Sequence, residues 1–405
     1  MTQEDAATTP AARPVVRLKS TGRKPKPRTD SPWLFANEIA MSPATKALPP
    51  GGVVRVESDN GAPLGTYLFN RHPLICARRL SRDPEAVIDT GLLAERLQAA
   101  LDLRARLFDA PYYRLVHAEA DGLPGTIIDR FDDVVVVQVN TAGMERLRAP
   151  LLDALAAVLA PRVIVLRNDS PARTNEGLEP EVAVVGGALD GPVPLVENGV
   201  RFFADPGDGQ KTGWFYDQRE NRAFAARLAE GRRVLDGYSY TGGFAVQAAC
   251  AGAESVVALD RSQAALDMAA RAAAANGVAD LCEFRKVEVF EALAAQAEAG
   301  ERYGLVVMDP PAFVKSKKDY WQGVKAYRKL ARLAAPLVAP GGALVMCSCS
   351  HHVGAEVFAE QARRGLADVR REGRLLRSAG AGPDHPVHPW LPETGYLKAL
   401  AFALD

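Results

Sequence analysis

The chain has 405 residues, 48% of them hydrophobic and 24% charged, with 49 basic and 49 acidic side chains balancing to a formal net charge of zero. Such a composition fits a globular protein of two or three domains and excludes an intrinsically disordered chain. A zero balance argues against non-specific coating of nucleic acid, and no apolar run approaches the roughly 18 residues that span a membrane.

The N-terminus is polar and lacks the apolar centre of a secretory signal, so the expected location is the cytoplasm. Cys76, Cys250, Cys282, Cys347 and Cys349 are scattered, with no CxxC pair. Neither a disulfide framework nor a metal site is expected.

Residues 1 to about 14 are Ala/Thr-rich and read as disordered. Arg13, Arg17, Lys19, Arg23, Lys24, Lys26 and Arg28 follow with no acid before Asp30. The run is either a phosphate contact or a solvated tail. To about residue 84 the pattern is short strands and turns. Val53-Val54-Arg55-Val56 alternates, Asp59-Asn60-Gly61 is a turn signal, and Gly65 to Phe69 returns. Leu93, Leu97, Leu101 and Arg104 lie at helical spacing over 92–107. Gly125 to Asp129 and Val134 to Val139 read as a hairpin around Phe131-Asp132-Asp133. A helix over 151–159 and a strand over 163–166 follow, and Gly186 to Pro194 closes the region.

From about 196 onward strands alternate with Ala/Leu-rich helices. Strands are expected at 233–236, 255–260, 281–284, 305–309 and 343–347, with one more within 395–404. This alternation predicts a mainly parallel, doubly wound α/β sheet, whose chemistry collects at the carboxyl ends of its strands.

The first of these strands runs into Asp236-Gly237-Tyr238-Ser239-Tyr240-Thr241-Gly242-Gly243-Phe244 and then a helix. Glycines there let backbone approach a ligand at a helix N-terminus, but the spacing is not the dinucleotide GxGxxG. The second strand ends in Asp260, placed to bind two ribose hydroxyls, with Arg261 beside it. Ser262 reads as the N-cap of a helix that closes at Asn276-Gly277. The third leads to Glu288, within reach of an adenine amine. These positions resemble the nucleoside site of class I S-adenosylmethionine methyltransferases. The cofactor candidates are Asp236, Tyr238, Ser239, Thr241, Gly242, Gly243, Asp260, Arg261, Ser262, Glu288 and Asp309.

Asp309-Pro310-Pro311 follows the fourth strand, and the prolines stiffen the backbone that carries the acid. An extruded base could stack on Pro310 and Pro311 and present its edge to Asp309. The fifth strand ends in Cys347-Ser348-Cys349-Ser350. A cysteine thiolate is a soft nucleophile that can add to C6 of cytosine and make C5 reactive. Cys347 and Cys349 share one strand face, so spacing does not choose between them; position at the strand end favours Cys349.

Tyr238 to Val246, Met308-Asp309-Pro310-Pro311 and Ser348-Cys349-Ser350 closely resemble the RlmI-type family of bacterial large-subunit rRNA cytosine-C5 methyltransferases. So do Tyr113 to Val116, Glu119 to Gly125, Lys211-Thr212-Gly213 and Asp217-Gln218-Arg219. The resemblance implies a PUA RNA-binding domain over 15–84, a central α+β domain of the EEHEAD kind over 85–195, and a Rossmann-like methyltransferase domain over 196–405 with a seven-stranded sheet. It implies S-adenosylmethionine as methyl donor, 23S rRNA as partner, a homodimer, and the family's nucleophile at Cys349. Lys211, Thr212 and Gln218 would line the cofactor or substrate entrance, and Asp384-His385-Pro386 would wall the substrate pocket. Where related enzymes carry a second cysteine after Asp-Pro-Pro, this chain has Ala312, and the group that assists product release is not identified.

The expected activity is therefore formation of 5-methylcytosine. An amino-group RNA methyltransferase is the alternative, because Asp-Pro-Pro followed closely by Phe313 resembles loops that grip an exocyclic amine. A non-catalytic ribosome assembly factor is a third reading. His351 and His352 read as solvent-facing.

Overall fold

The computed structural model describes residues 13–20, 30–207, 209 and 212–405. The chain divides into two compact units. One comprises Met1–Val193, Asp205–Trp214 and Asp384–Pro392; the other comprises Pro194–Ala204, Phe215–Pro383 and Glu393–Asp405. Two short segments inside the expected 196–405 domain thus belong to the first unit.

The first unit carries two five-stranded sheets. In one, Val15–Arg17, Gly52–Glu57, Pro63–Phe69, Ile75–Ser81 and Trp33–Phe35 lie side by side in that order. The expected hairpin forms around Gly61, with Val53 opposite Leu68. Val16, Val54, Val56, Tyr67 and Phe69 fill its core. The basic run is not a uniform tail. Arg13, assigned to a disordered start by its sequence, is buried and donates to Thr66 Oγ1 at 2.9 Å and to the carbonyls of Pro84 and Ala86. Arg17 pairs with Glu57. Arg23, Lys24, Lys26 and Arg28 lie outside the described residues.

The other sheet runs Glu181–Val185, Val163–Asn168, Val134–Val139, Thr126–Phe131, Tyr112–His117. The expected helix spans Thr90–Leu107 and buries Leu93 and Leu97. Arg104, at the same spacing, is also buried, its guanidinium gripping both oxygens of Asp121 at 2.5 and 2.8 Å. A buried charge paired in this bidentate way is stabilising only because both partners are present. Asp384 is fully taken up in this unit. It accepts from the Arg114 amide at 3.0 Å and pairs with His385 Nδ1 at 2.8 Å.

The second unit begins with the hairpin Val193–Glu197/Val200–Ala204 and continues into a seven-stranded sheet. Its strands are β1 (Arg233–Gly237), β2 (Ser255–Asp260), β3 (Cys282–Lys286), β4 (Tyr303–Met308), β5 (Val338–Ser348), β6 (Gly373–Ala379) and β7 (Lys398–Leu404). The order is β3-β2-β1-β4-β5-β7-β6, all parallel except β7, which runs antiparallel to both neighbours. The helices are α1 (Arg219–Ala226), α2 (Gly243–Cys250), α3 (Gln263–Ala275), α4 (Val289–Glu298), α5 (Tyr320–Ala334) and α6 (Ala355–Asp368). β1, β2, β4 and β5 are apolar because helices cover both their faces. β3 and β6 are exposed edges carrying charge, which discourages strand addition. β6 escaped prediction for that reason: Leu375 and Leu376 are both exposed, so its sequence carries no alternation. α3 begins at the expected Ser262 cap and ends before Gly277 at φ +70°.

Candidate active site

The carboxyl ends of β1, β2, β4 and β5 meet the N-terminal end of β7 along one edge of the sheet. The loop from β1 to α2 is held tightly. Tyr238 and Tyr240 both sit at positive φ, +65° and +48°, a strained conformation that the surroundings must enforce. The Ser239 amide donates to the Leu259 carbonyl at 3.0 Å, and the Tyr240 amide to Asp260 Oδ2 at 2.9 Å. Asp260 Oδ1 accepts from the Ser262 amide at 2.9 Å. The β4 end is tied to the same loop, since the Asp309 amide donates to the Gly237 carbonyl at 3.2 Å.

Two glycines of this loop are required by its packing. Gly242 adopts φ +78° just before α2, and a Cβ there would lie 2.7 Å from the Ala269 Cβ of α3. A Cβ on Gly243 would meet the Arg222 side chain at 2.5 Å. Both positions need a glycine for close packing of the loop against its neighbours.

The polar atoms are what ask for a ligand. Asp236 is fully buried; its Oδ2 accepts from the Ala245 amide at 2.9 Å, but Oδ1 has no hydrogen-bond partner among the described residues. Ser239 Oγ and Thr241 Oγ1 are likewise buried without partners. Buried polar atoms are ordinarily paired, so this concentration marks a place where a polar molecule completes the bonding. Burial, and then repulsion from Asp309 and Asp260, push the Asp236 carboxyl well above the usual range, against the Ala245 amide and Arg222. A molecule rich in hydroxyls and carrying positive charge would satisfy the orphaned atoms and offset the repulsion. S-adenosylmethionine, with ribose hydroxyls and a sulfonium, has that chemistry; Asp236, Ser239, Thr241 and Asp260 are the residues that fit it.

Of the other candidates, Gln218 is buried beside β5, its Oε1 3.9 Å from Cys347 Sγ. Glu288 is exposed before α4; burial and then Glu288 raise the Tyr238 phenol. Arg261 is exposed, Pro310 buried and Pro311 exposed. Thr212 belongs to the first unit, where its hydroxyl donates to the Trp214 carbonyl at 3.4 Å. Lys211 lies outside the described residues.

The two cysteines at the end of β5 differ sharply. Cys347 is fully buried, and desolvation, then Asp309, hold its thiol well above the ordinary value. Cys349, just past the strand end, is half-buried. The serines that alternate with them face α5. Ser348 Oγ and Ser350 Oγ each lie 2.8 Å from the Tyr327 hydroxyl, and Ser350 Oγ accepts from the Val314 amide at 3.2 Å. They tie the strand end to the loop behind Asp309. Phe313 is packed among Tyr327, Phe290 and Tyr238, with ring centroids at 4.9, 5.9 and 6.4 Å. His351 and His352 are exposed, as expected, with the His351 ring 4.9 Å from that of Tyr396.

One residue at this edge went unnoticed in the sequence. Lys398 opens β7 opposite Ser348, is buried, and donates to the carbonyls of Ser350 and Tyr396, each at 2.7 Å. The signal was a single cation inside the apolar run Leu397 to Leu404, since lysines are almost never buried without a reason.

Among the described residues no helix is long and apolar enough to cross a membrane, and no three His, Cys, Asp or Glu side chains cluster as metal ligands. Residues 178–402 match the model of an S-adenosylmethionine-dependent methyltransferase family, and residues 16–82 that of a PUA-like domain. The chain is 36% identical over 389 residues to the ribosomal RNA large subunit methyltransferase I of Erwinia tasmaniensis, covering 95% of this chain and 98% of the relative. The protein of the same name from Escherichia coli O139:H28 is 35% identical over 91% of this chain and 94% of its own length. A solved Streptococcus mutans protein, described as a SAM-dependent methyltransferase, superposes with a TM-score of 0.80 at 21% identity over 96% of this chain and all of its own. Another, described as a methyltransferase and complexed with SAH, gives 0.80 at 20% identity over 93% of this chain and 96% of its own.

Proposed function

This chain belongs to the S-adenosylmethionine-dependent methyltransferase family that includes the ribosomal RNA large subunit methyltransferase I proteins, and we propose that it methylates C5 of a cytosine in large-subunit rRNA through a covalent bond from Cys349 to C6. The sheet over residues 15–81 is then the PUA RNA-binding domain, residues 85–195 the central domain, and the seven-stranded sheet the catalytic domain.

The observation that carries the reading is the contrast within β5. Cys347 is buried and Cys349 half-buried at the end of β5, which pairs with β4, the strand that Asp309 follows. Cytosine C5 is a poor nucleophile until a soft anion adds to C6 and makes it enamine-like. Cys349 supplies that anion. Asp309, on a backbone stiffened by Pro310 and Pro311 and bonded to Gly237, holds the N3 and N4 edge as charge develops there. S-adenosylmethionine, when bound, offers an electrophilic methyl group. Loss of the C5 proton then lets Cys349 depart from C6 by elimination. Phe313 weighs against the amino-group alternative, because it is committed to an aromatic cluster with Tyr238, Phe290 and Tyr327 rather than to a substrate face.

The test is methylation of rRNA with labelled S-adenosylmethionine, followed by bisulfite mapping. A single protected cytosine is expected, and Cys349→Ala should lower transfer by about a thousandfold or more. Transfer at full rate by Cys349→Ala, or label on an exocyclic amine, would refute the covalent reading. Binding of rRNA with no transfer at all would favour the assembly factor.

A further inference from the structure

The reaction occupies the carboxyl edge of the sheet, and the outer face of α5 has no part in it. From Lys315 to Arg332 the chain carries seven basic side chains and a single acid, Asp319, in a protein whose net charge is zero. The loop after Pro311 supplies Lys315, Lys317 and Lys318, and α5 supplies the rest. Helical spacing sorts the residues of α5. Val324, Tyr327, Leu330 and Ala331 are buried in the core of the second unit. Gln322, Lys325, Lys329 and Arg332 recur at alternating helical intervals and are all exposed, so they form one stripe on the other face. Trp321 stands at its start and is 73% exposed.

Arg328 is the one cation of α5 taken up in an ion pair, with both oxygens of Asp368 on α6 at 2.6 and 2.7 Å. Asp319 accepts from Ser316 Oγ at 2.8 Å. A groove of about 540 Å³ runs beside the stripe, lined by Phe290 of α4, Gln322, Lys325, Lys329, Arg332 and Asp368. Lys329 Nζ lies 4.7 Å from the centroid of the Phe290 ring, which fixes the amine at the groove. The loop that carries Lys315, Lys317 and Lys318 is tied to the end of β5, where the Val314 amide donates to Ser350 Oγ at 3.2 Å. α5 joins the parallel strands β4 and β5, so it must run back along them. The stripe therefore starts at the edge that holds Asp309 and Cys349 and continues for about 16 Å down the side of the sheet.

We propose that this face is an RNA-binding surface of the methyltransferase unit itself, which grips an unpaired stretch of the rRNA next to the target base. The lysines and Arg332 hold phosphates, and Trp321 stacks on a base. The proposal rests on rRNA as the substrate and not on the covalent role of Cys349.

The chemistry selects this occupant. A basic groove with an exposed aromatic ring is the pattern that holds single-stranded nucleic acid, the cations following the backbone and the ring taking a base. A base inside a helix has both faces covered by its neighbours, so Trp321 needs an unpaired one. A membrane surface would require the apolar face of α5, and that face is already buried in the core. The zero net charge did not point here, because the acids that balance these cations are distributed over the rest of the chain.

The measurement is the affinity of the full chain for an unmodified large-subunit rRNA transcript as a function of salt. Replacing Lys325, Lys329 and Arg332 together by Gln should weaken binding by about tenfold or more. It should also flatten the slope of log Kd against log salt by about two, at roughly 0.7 per phosphate contact. The loss of transfer should fall on KM for rRNA rather than on kcat, and S-adenosylmethionine affinity in calorimetry should match the wild type. Trp321→Ala should weaken rRNA binding by about tenfold with the salt slope unchanged, and Trp321→Phe should restore most of the loss. Wild-type rRNA affinity and slope in the triple variant would overturn the proposal. So would a loss confined to binding of polyglutamate, which would mark an acidic protein as the partner. If the triple variant does not fold, Lys315→Gln with Lys318→Gln decides by the same two readouts. Full transfer by Cys349→Ala would instead remove the covalent reading, and would leave rRNA affinity and its salt slope as they are.

Discussion

The two halves of the sheet edge are finished to different degrees. At β1 and β2, Asp236, Ser239 and Thr241 keep buried polar atoms without partners, and Asp236 suffers repulsion from two other carboxylates. At β5 and β7, Ser348, Ser350, Tyr327, Val314 and Lys398 are joined in a continuous set of hydrogen bonds. The first half is completed by what it binds. The second is organised before anything binds, as a group that must aim a nucleophile has to be. Under the proposed function, affinity and chemistry are thus assigned to different strands of one sheet.

That division can be broken from either side. The largest effect is expected from Asp260→Ala. Loss of a carboxylate placed for two hydroxyls should weaken S-adenosylmethionine binding by about 30- to 100-fold in calorimetry, the worth of charge-assisted hydrogen bonds, while transfer at saturating donor stays near wild type. Tyr327→Phe should do the reverse. It removes the hydroxyl between Ser348 and Ser350, so kcat should fall about tenfold and stability by about 1–2 kcal/mol, with donor affinity unchanged. Equal loss of affinity in both variants would dissolve the comparison.

Asp236→Asn sharpens it through pH. The folded carboxyl is raised, so its contribution to stability is complete at low pH and is lost as the pH rises through the folded value. The variant should therefore be more stable than the wild type by about 1 kcal/mol at pH 7 in denaturant melts, and the gain should disappear below about pH 4. The smallest effect is expected for Cys347→Ala. It should cost about 1 kcal/mol through a small cavity and leave kcat within about twofold, whereas a nucleophile at Cys347 would make it inactive.

The legible parts of this chain were those where one local pattern decides. β2 begins and ends at the expected residues, and the Ser262 cap and Gly277 stop were readable because capping is a matter of a few adjacent bonds. β6 was hidden because an edge strand has no buried face to alternate. Arg13 looked like one more cation in a basic run, and only the fold brings Thr66, Pro84 and Ala86 around it. The acid and the thiol were visible at strand ends. Their neighbours were not, because Lys398 and Tyr327 reach Ser350 through pairing and packing across 48 and 23 positions of sequence. The glycines of the β1 loop revealed a tight loop, but not that α3 and Arg222 press against it.

The placement of β7 has a consequence for synthesis. β7 emerges from the ribosome after β5 and β6, yet lies between them and pairs with both. Until Lys398–Leu404 has been made, β5 has an open flank and the Ser350 carbonyl lacks its Lys398 donor. The donor half, drawn from β1 and β2, is complete well over a hundred residues earlier. A nascent chain can therefore assemble the β1 and β2 edge first, and the flank of β5 closes only when the inserted strand arrives.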